Sequence, residues 1–149
     1  MELPFIDEHA MPCAEPVDAT WEALLGLLRR QSSGSAWFAR RLGCDPAAGT
    51  AEFAGRVGEA VPGFRVAEAE RGKRLALRGR HRFADYALIF LIDGESLRAR
   101  SYGSFPGLRG RLYRALVIGS GGHRLITRRM LRQSVAAARR VTLGRLEVP

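Results

Sequence analysis

The sequence predicts an α+β domain in which a curved antiparallel sheet wraps around a long C-terminal helix. Three observations carry this. Between Gly63 and Phe105 apolar residues recur at every second position, the period of half-buried strands. Between His123 and Arg140 they recur every three to four residues, the period of an amphipathic helix. A sheet with one apolar face must be covered, and the terminal helix is long enough to cover it. With 149 residues the chain fits one domain, 1–149, which can bury a core without a disulfide or metal staple.

Leu3 to Cys13 reads as an extended first strand, broken by Pro4 and Pro12. Pro16, followed by Asp18 and Glu22, marks a helix start. Val17, Trp21, Leu24, Leu25 and Leu28 form its apolar stripe. Arg29 and Arg30 suit the negative end of the helix dipole, so the helix is expected to stop there. Gln31 to Ser35 then reads as a polar loop, and Trp37 to Leu42 as a short second helix stopped by Gly43. The stretch 43–62, rich in Gly, Ala and Pro, is poorly legible, with Phe53 to Val57 as a candidate strand.

Phe64 to Glu70 is the next strand, with Arg71-Gly72 as its turn. Lys73 to Phe83 alternates: Leu75, Leu77, Gly79, His81 and Phe83 share one face, and Arg74, Ala76, Arg78, Arg80 and Arg82 the other. Tyr86 to Ile92 is apolar on both faces, as a central strand is. Asp93-Gly94 is a hairpin turn. Ser96 to Phe105 sets Leu97, Ala99, Ser101, Gly103 and Phe105 against Arg98, Arg100 and Tyr102. After Pro106-Gly107, residues Leu108, Leu112, Ala115 and Leu116 form the apolar face of a short helix, interrupted by Gly119 to Gly122. The long helix has an inner stripe of Ile126, Met130, Leu131, Ser134, Val135 and Ala138. Arg124, Arg128, Arg129, Arg132, Arg139 and Arg140 make its outer face.

Composition narrows the function classes. Apolar residues make up 46% and Gly 17 of 149, which suits neither a disordered nor a collagen-like chain. No apolar run is long enough to span a bilayer. The acidic start, MELPFIDEHA, argues against a secretory signal and makes the cytoplasm the expected compartment. Lys73 is the single lysine among 24 basic residues, an arginine bias of the kind a GC-rich bacterial genome imposes. Residues 1–70 carry a net charge of −5 and residues 71–149 one of +14. Such asymmetry raises the question of nucleic acid or an anionic membrane. The arginines are spread through ordered segments with few interleaved aromatics, so nucleic-acid binding is the least favoured reading. Cys13 and Cys44 form no metal or redox spacing and read as small apolar side chains. His9, His81 and His123 are scattered, so no metal and no cofactor is expected. The run Gly119-Ser120-Gly121-Gly122-His123 fails as a dinucleotide fingerprint, because Arg124 falls where the third glycine belongs and too little chain follows.

The segment Pro12 to Leu25, a strand leading into Pro-Val-x-x-x-Trp-Glu-Ala, resembles the START-like (SRPBCC, polyketide cyclase/dehydrase-type) helix-grip superfamily. Ser104-Phe105-Pro106-Gly107-Leu108-Arg109-Gly110-Arg111-Leu112-Tyr113 is similar to the F-x-P-x-G-L-x-G-R-x-Y-W signature of one of its subfamilies. The spacing from Pro106 to Gly107 is one residue short, Arg114 replaces the Trp, and Gly121-Gly122-His123 stands where the subfamily has P-x-H. The resemblance implies a cavity between sheet and C-terminal helix that holds a hydrophobic or amphipathic small molecule. Cyclases, aromatases and dehydratases on the same scaffold are the enzymatic alternative, and no catalytic residue is carried over. A homodimer is left open.

The expected cavity lining is Leu75, Leu77, His81, Phe83, Phe105, Tyr113, Ile126 and Met130. His81, on the inward face, is the leading candidate for acid–base work on a bound carbonyl compound. Arg98 and Arg100 point outward by parity, and a one-residue register slip would turn both inward to meet an anionic ligand. Arg109, Arg111 and Arg114 flank Tyr113 and read either as a solvated face or as a basic rim that steers an acidic ligand or membrane.

Overall fold

A computed structural model describes residues 2–147, apart from the side chains of residues 32–34. Strand β1 (Phe5–Pro12) leads into helix α1 (Val17–Leu42). Strands β2 (Ala60–Val61), β3 (Phe64–Glu70), β4 (Arg74–His81), β5 (Ala84–Ile92) and β6 (Ser96–Ser104) follow. Helix α2 (Gly107–Arg114) runs into a π-helical stretch, Ala115–Gly119, and helix α3 (Gly122–Leu146) completes the fold. This is the α+β layout expected: one antiparallel six-stranded sheet and a long C-terminal helix.

The strand order is β1-β6-β5-β4-β3-β2. The meander is local, and its tight turns set its register. The β1–β6 pair joins residues some ninety positions apart, with Glu8 opposite Arg100 and Met11 opposite Leu97. That pairing settles the parity of β6. Leu97, Ala99, Ser101 and Gly103 are buried on the helix side, and Arg98 and Arg100 lie on the back of the sheet. There they meet Glu8, at 3.5 Å and 2.7 Å. Irregularities between Phe5 and Asp7 and between Val66 and Glu68 bend the outer strands, as bulges do.

Helix α1 corrects the reading of two helices. It continues through Gln31–Ser35 to Leu42. The stretch contains no proline, and the Ser35 hydroxyl donates to the Gln31 carbonyl at 2.8 Å instead of competing for it elsewhere. Gly43 is the true stop. It takes a left-handed φ of 70°, and the N–H groups of Gly43 and Cys44 bond to the carbonyls of Arg40 and Ala39. The C-terminal half of α1 thereby joins the cavity wall.

Phe53–Val57 is also corrected: it is a loop. The Glu59 carboxylate accepts from the N–H groups of Ala54 and Arg56 at 2.8 and 3.0 Å, which satisfies them without a neighbouring strand. Phe53 is nevertheless buried in the core.

Helices α1 and α3 run antiparallel, with Arg145 near the end of α3 bonded to Asp18 at the start of α1 at 2.8 Å. Their facing stripes and the inner face of the sheet form one core: Trp21, Leu24, Leu25 and Leu28; Leu75, Leu77, Phe90 and Leu97; Met130, Leu131 and Val135. Val17 leaves its stripe and is exposed. On α3 the inner stripe is continued toward the N-terminus by buried Thr127 and half-buried His123, not by Ile126, which is 60% exposed. Thr127, Leu131, Ser134 and Ala138 keep a period near 3.6, and Ile126 falls outside their arc.

Helix α2 turns out differently from its apolar pattern. Leu108, Leu112 and Leu116 are exposed, and Gly110 is the buried residue. A Cβ at Gly110 would stand 2.6 Å from the Phe105 carbonyl carbon, so only glycine lets α2 lie this close to the end of β6.

Candidate functional site

A cavity of about 270 Å³ lies where α1 and α3 part at one end of the sheet. Its wall comes from five places. The last turns of α1 give Phe38, Ala39 and Leu42. The loop before β3 gives Cys44, Pro62 and Gly63. The inner face of the sheet gives His81, Tyr86, Leu88 and Ser101. Phe105 and Tyr113 close one side, and Val117, Ile118 and His123 another. Most of these are apolar or aromatic, with polar groups gathered into two clusters, as in small-molecule sites.

The first cluster is aromatic. The Tyr86 hydroxyl donates to the Gly63 carbonyl at 2.7 Å and lies 3.9 Å from Cys44 Sγ. Gly79, opposite Tyr86 in the sheet, makes this contact possible, because a Cβ there would overlap the Gly63 carbonyl. Burial pushes the Tyr86 hydroxyl far above its ordinary range, with the nearby Cys44 adding to it, so the phenol stays protonated. Burial also raises Tyr113. The His81 ring sits 4.7 Å from the Tyr113 ring and 5.3 Å from the Tyr86 ring, and Phe83 stacks on Tyr113 at 5.5 Å. His81 Nδ1 accepts the Phe83 N–H at 3.1 Å. Burial lowers the His81 pKa, with the Asp85 charge opposing it. The neutral ring therefore carries its proton on Nε2 and offers one N–H donor.

The second cluster was not legible in the sequence. His123 Nε2 lies 2.9 Å from the hydroxyl of buried Ser101 and 3.4 Å from Asp7 Oδ1. Asp7 Oδ2 is 3.0 Å from His9 Nε2. Asp7 Oδ1 is buried and has no hydrogen-bond partner among the described residues. The trio contains the residue types of a serine nucleophile site but not its geometry. Such a site places serine and carboxylate on opposite ring nitrogens, and here both approach Nε2. The arrangement orients an imidazole at a cavity wall; it does not activate Ser101. Among the described residues no group of His, Cys, Asp and Glu has the arrangement of a metal site.

Of the residues expected to line the cavity, His81, Phe105 and Tyr113 do so. Phe83 is one step removed, behind Tyr113. Leu75, Leu77 and Met130 lie in the solid core, in the same buried cluster as Leu24, Leu25 and Leu28 of α1. Ile126 faces outward, for the reason of helix phase given above. Cys44, expected as a buried apolar side chain, is half-exposed and borders the cavity, whereas Cys13 is buried beside the Thr20 hydroxyl at 3.4 Å. One signal for the missed cluster did exist. His123, Thr127, Leu131 and Ser134 share one helical arc, which points His123 inward.

The fold is similar to that of protein CV1439 from Chromobacterium violaceum, at 16% identity and a TM-score of 0.53 over 89% of this chain and 95% of that one. CalU16 from Micromonospora echinospora aligns at 14% identity and a TM-score of 0.44 over 93% and 92% of the two chains. No family model matches the sequence, and no curated protein does.

Proposed function

We propose that the protein is a START-like small-molecule-binding domain that holds a compact hydrophobic or amphipathic ligand in the cavity beside Tyr86, Tyr113 and His123. The observation that supports it best is the cavity itself, about 270 Å³ of largely apolar space with hydrogen-bonding groups at two places on its wall. That volume is at the lower end of the usual range for ligand sites. It suits a ligand the size of a substituted aromatic or a medium-length acyl group. The neutral His81 N–H and the Tyr113 hydroxyl would meet a carbonyl or hydroxyl at one end. His123, held by Ser101, would meet a polar group at the other.

Native mass spectrometry of freshly purified protein, with a thermal-shift panel of phenols, aromatic acids and medium-chain fatty acids, tests this. An adduct lost on denaturation, or a raised Tm, is expected for the wild type. Val117→Trp, which fills the cavity from a half-buried position, should abolish either signal. A bare mass with no shift across the panel would sink the reading, as would an undiminished shift in Val117→Trp.

One observation favours a second reading, an enzyme of the cyclase, aromatase or dehydratase type. His123 stands on the cavity wall with the half-buried carboxylate of Asp7 beside it. In this reading His123 would serve as the base toward a carbonyl compound bound against that wall. His123→Ala would then abolish turnover while leaving binding in place. Loss of binding alone would return His123 to the role of anchor.

A further inference from the structure

We infer that the helical cap formed by α2, the π-helical stretch and the start of α3 is a docking surface for an anionic lipid bilayer. The argument begins with helix phase. At about 100° per residue, Leu108 and Leu112 lie about 40° apart, and Gly110 points about 180° away from their midpoint. Gly110 is buried against Phe105 and Tyr113 borders the cavity, so the leucine row must face out. Leu108 is 82% exposed, Leu112 63% and Leu116, one turn on, 66%. A monomeric domain seldom presents a row of this kind to water.

The charges around the row choose its occupant. Arg109 and Arg111 flank the leucines on either side, about 80° from their midpoint. Arg124, Arg128 and Arg129 follow on the exposed side of α3. None of these five has a carboxylate partner among the described residues. From Ser96 to Leu146 the sequence contains twelve arginines and no acidic residue. A second copy of the chain would bring the same uncompensated arginines against these, which disfavours a dimer through this face. A nucleic acid would satisfy the arginines and leave the leucines in water. A bilayer with anionic headgroups takes both: leucines enter the acyl boundary while flanking arginines meet phosphates. Exposed Phe38 borders the same cavity as Val117 and Ile118, and its neighbour Trp37 is 72% exposed, which adds the aromatic character of an interfacial surface. No helix among the described residues is long and apolar enough to cross a membrane, so the contact is peripheral.

The surface stands independently of what the cavity holds, and so does its test. The full chain is sedimented with vesicles of phosphatidylcholine alone and with vesicles containing about a third phosphatidylglycerol. It is expected to pellet with the anionic vesicles at low salt and to remain in solution with the neutral ones. The combined variant Leu108→Ser, Leu112→Ser, Leu116→Ser, with wild-type circular dichroism and Tm, should lose about tenfold or more of that affinity. If that variant does not fold, Leu112→Ser alone should still weaken binding measurably. Four outcomes would overturn the proposal. The first is no pelleting with anionic vesicles. The second is equal pelleting of the leucine variants, which would leave charge attraction alone. The third is a wild-type dimer in sedimentation velocity that the leucine variants dissolve. The fourth is binding to duplex DNA tighter than to vesicles and indifferent to the leucines.

Discussion

Two surfaces of this molecule are rich in arginine, and they differ in what surrounds the charge. On the back of the sheet Arg74, Arg80, Arg98 and Arg100 each meet a carboxylate, from Glu68, Asp45, Glu8 or Asp93. On the helical cap Arg109, Arg111, Arg124, Arg128 and Arg129 have none among the described residues and are interleaved with exposed leucines. At those four positions the charge is neutralised within the sheet, which contributes to register. The cap keeps its positive field and its apolar surface available to something else. The contrast places five of the arginines behind the +14 of residues 71–149 in the cap, a clustering that net charge per half does not reveal.

The largest effects should come from the two glycines that hold these regions together. Gly79→Ala would drive a methyl into the Gly63 carbonyl and break the Tyr86 contact, lowering global stability by about 2–3 kcal/mol in urea unfolding. Gly110→Ala should instead loosen the cap, raising hydrogen exchange in α2 while the sheet amides stay protected. Next in size is a charge comparison. Arg109→Glu with Arg111→Glu should elute from heparin at clearly lower salt than wild type, whereas Arg98→Gln with Arg100→Gln should scarcely move. Equal effects of the two pairs would dissolve the distinction between the surfaces. Smaller still, Glu8→Gln removes the partner of two half-exposed arginines and should cost at most about 1 kcal/mol, less at high salt.

The smallest predicted effect concerns His81, where the sheet meets the cap at Tyr113. Its folded pKa is lowered by burial, so below the ordinary histidine value of 6.5 the unfolded chain binds the extra proton first. Its contribution is therefore complete above about pH 6.5 and declines as pH falls toward the lowered folded value. Urea midpoints at pH 5.5 and 7.5 should differ less in His81→Gln than in wild type. An unchanged difference would show that other groups carry the acid sensitivity.

Much of this architecture was legible because strand and helix periods are local. The alternation assigned both sheet faces correctly across Arg74–His81 and Ser96–Ser104, including the outward direction of Arg98 and Arg100, whereas Arg82 and Phe83 fall in the turn after β4 and Phe105 beyond the end of β6. The stripe of α3 was read correctly from Met130 to Ala138. Arg29-Arg30 and the polar run after them have the chemistry of a helix end, yet α1 continues through them with Arg29, Arg30 and Gln31 on its solvent face. The leucines of α2 looked inward because apolar residues usually are; the decisive residue was Gly110, whose smallness shows which side approaches backbone. Three of the eight residues expected to line the cavity, Leu75, Leu77 and Met130, fall into solid core, in one buried cluster with Leu24, Leu25 and Leu28 of α1.

By itself the sequence determined the element types, the turns and the apolar faces of the meander, since each depends on residues a few positions apart. Only the tertiary structure decided that β1 closes against β6, and hence that Asp7 joins Ser101 and His123, which meet at the cavity wall. A period reports which way a side chain points within its own element. Which side chain it meets depends on pairing between elements far apart in the chain, and that is set by the burial of all their faces at once.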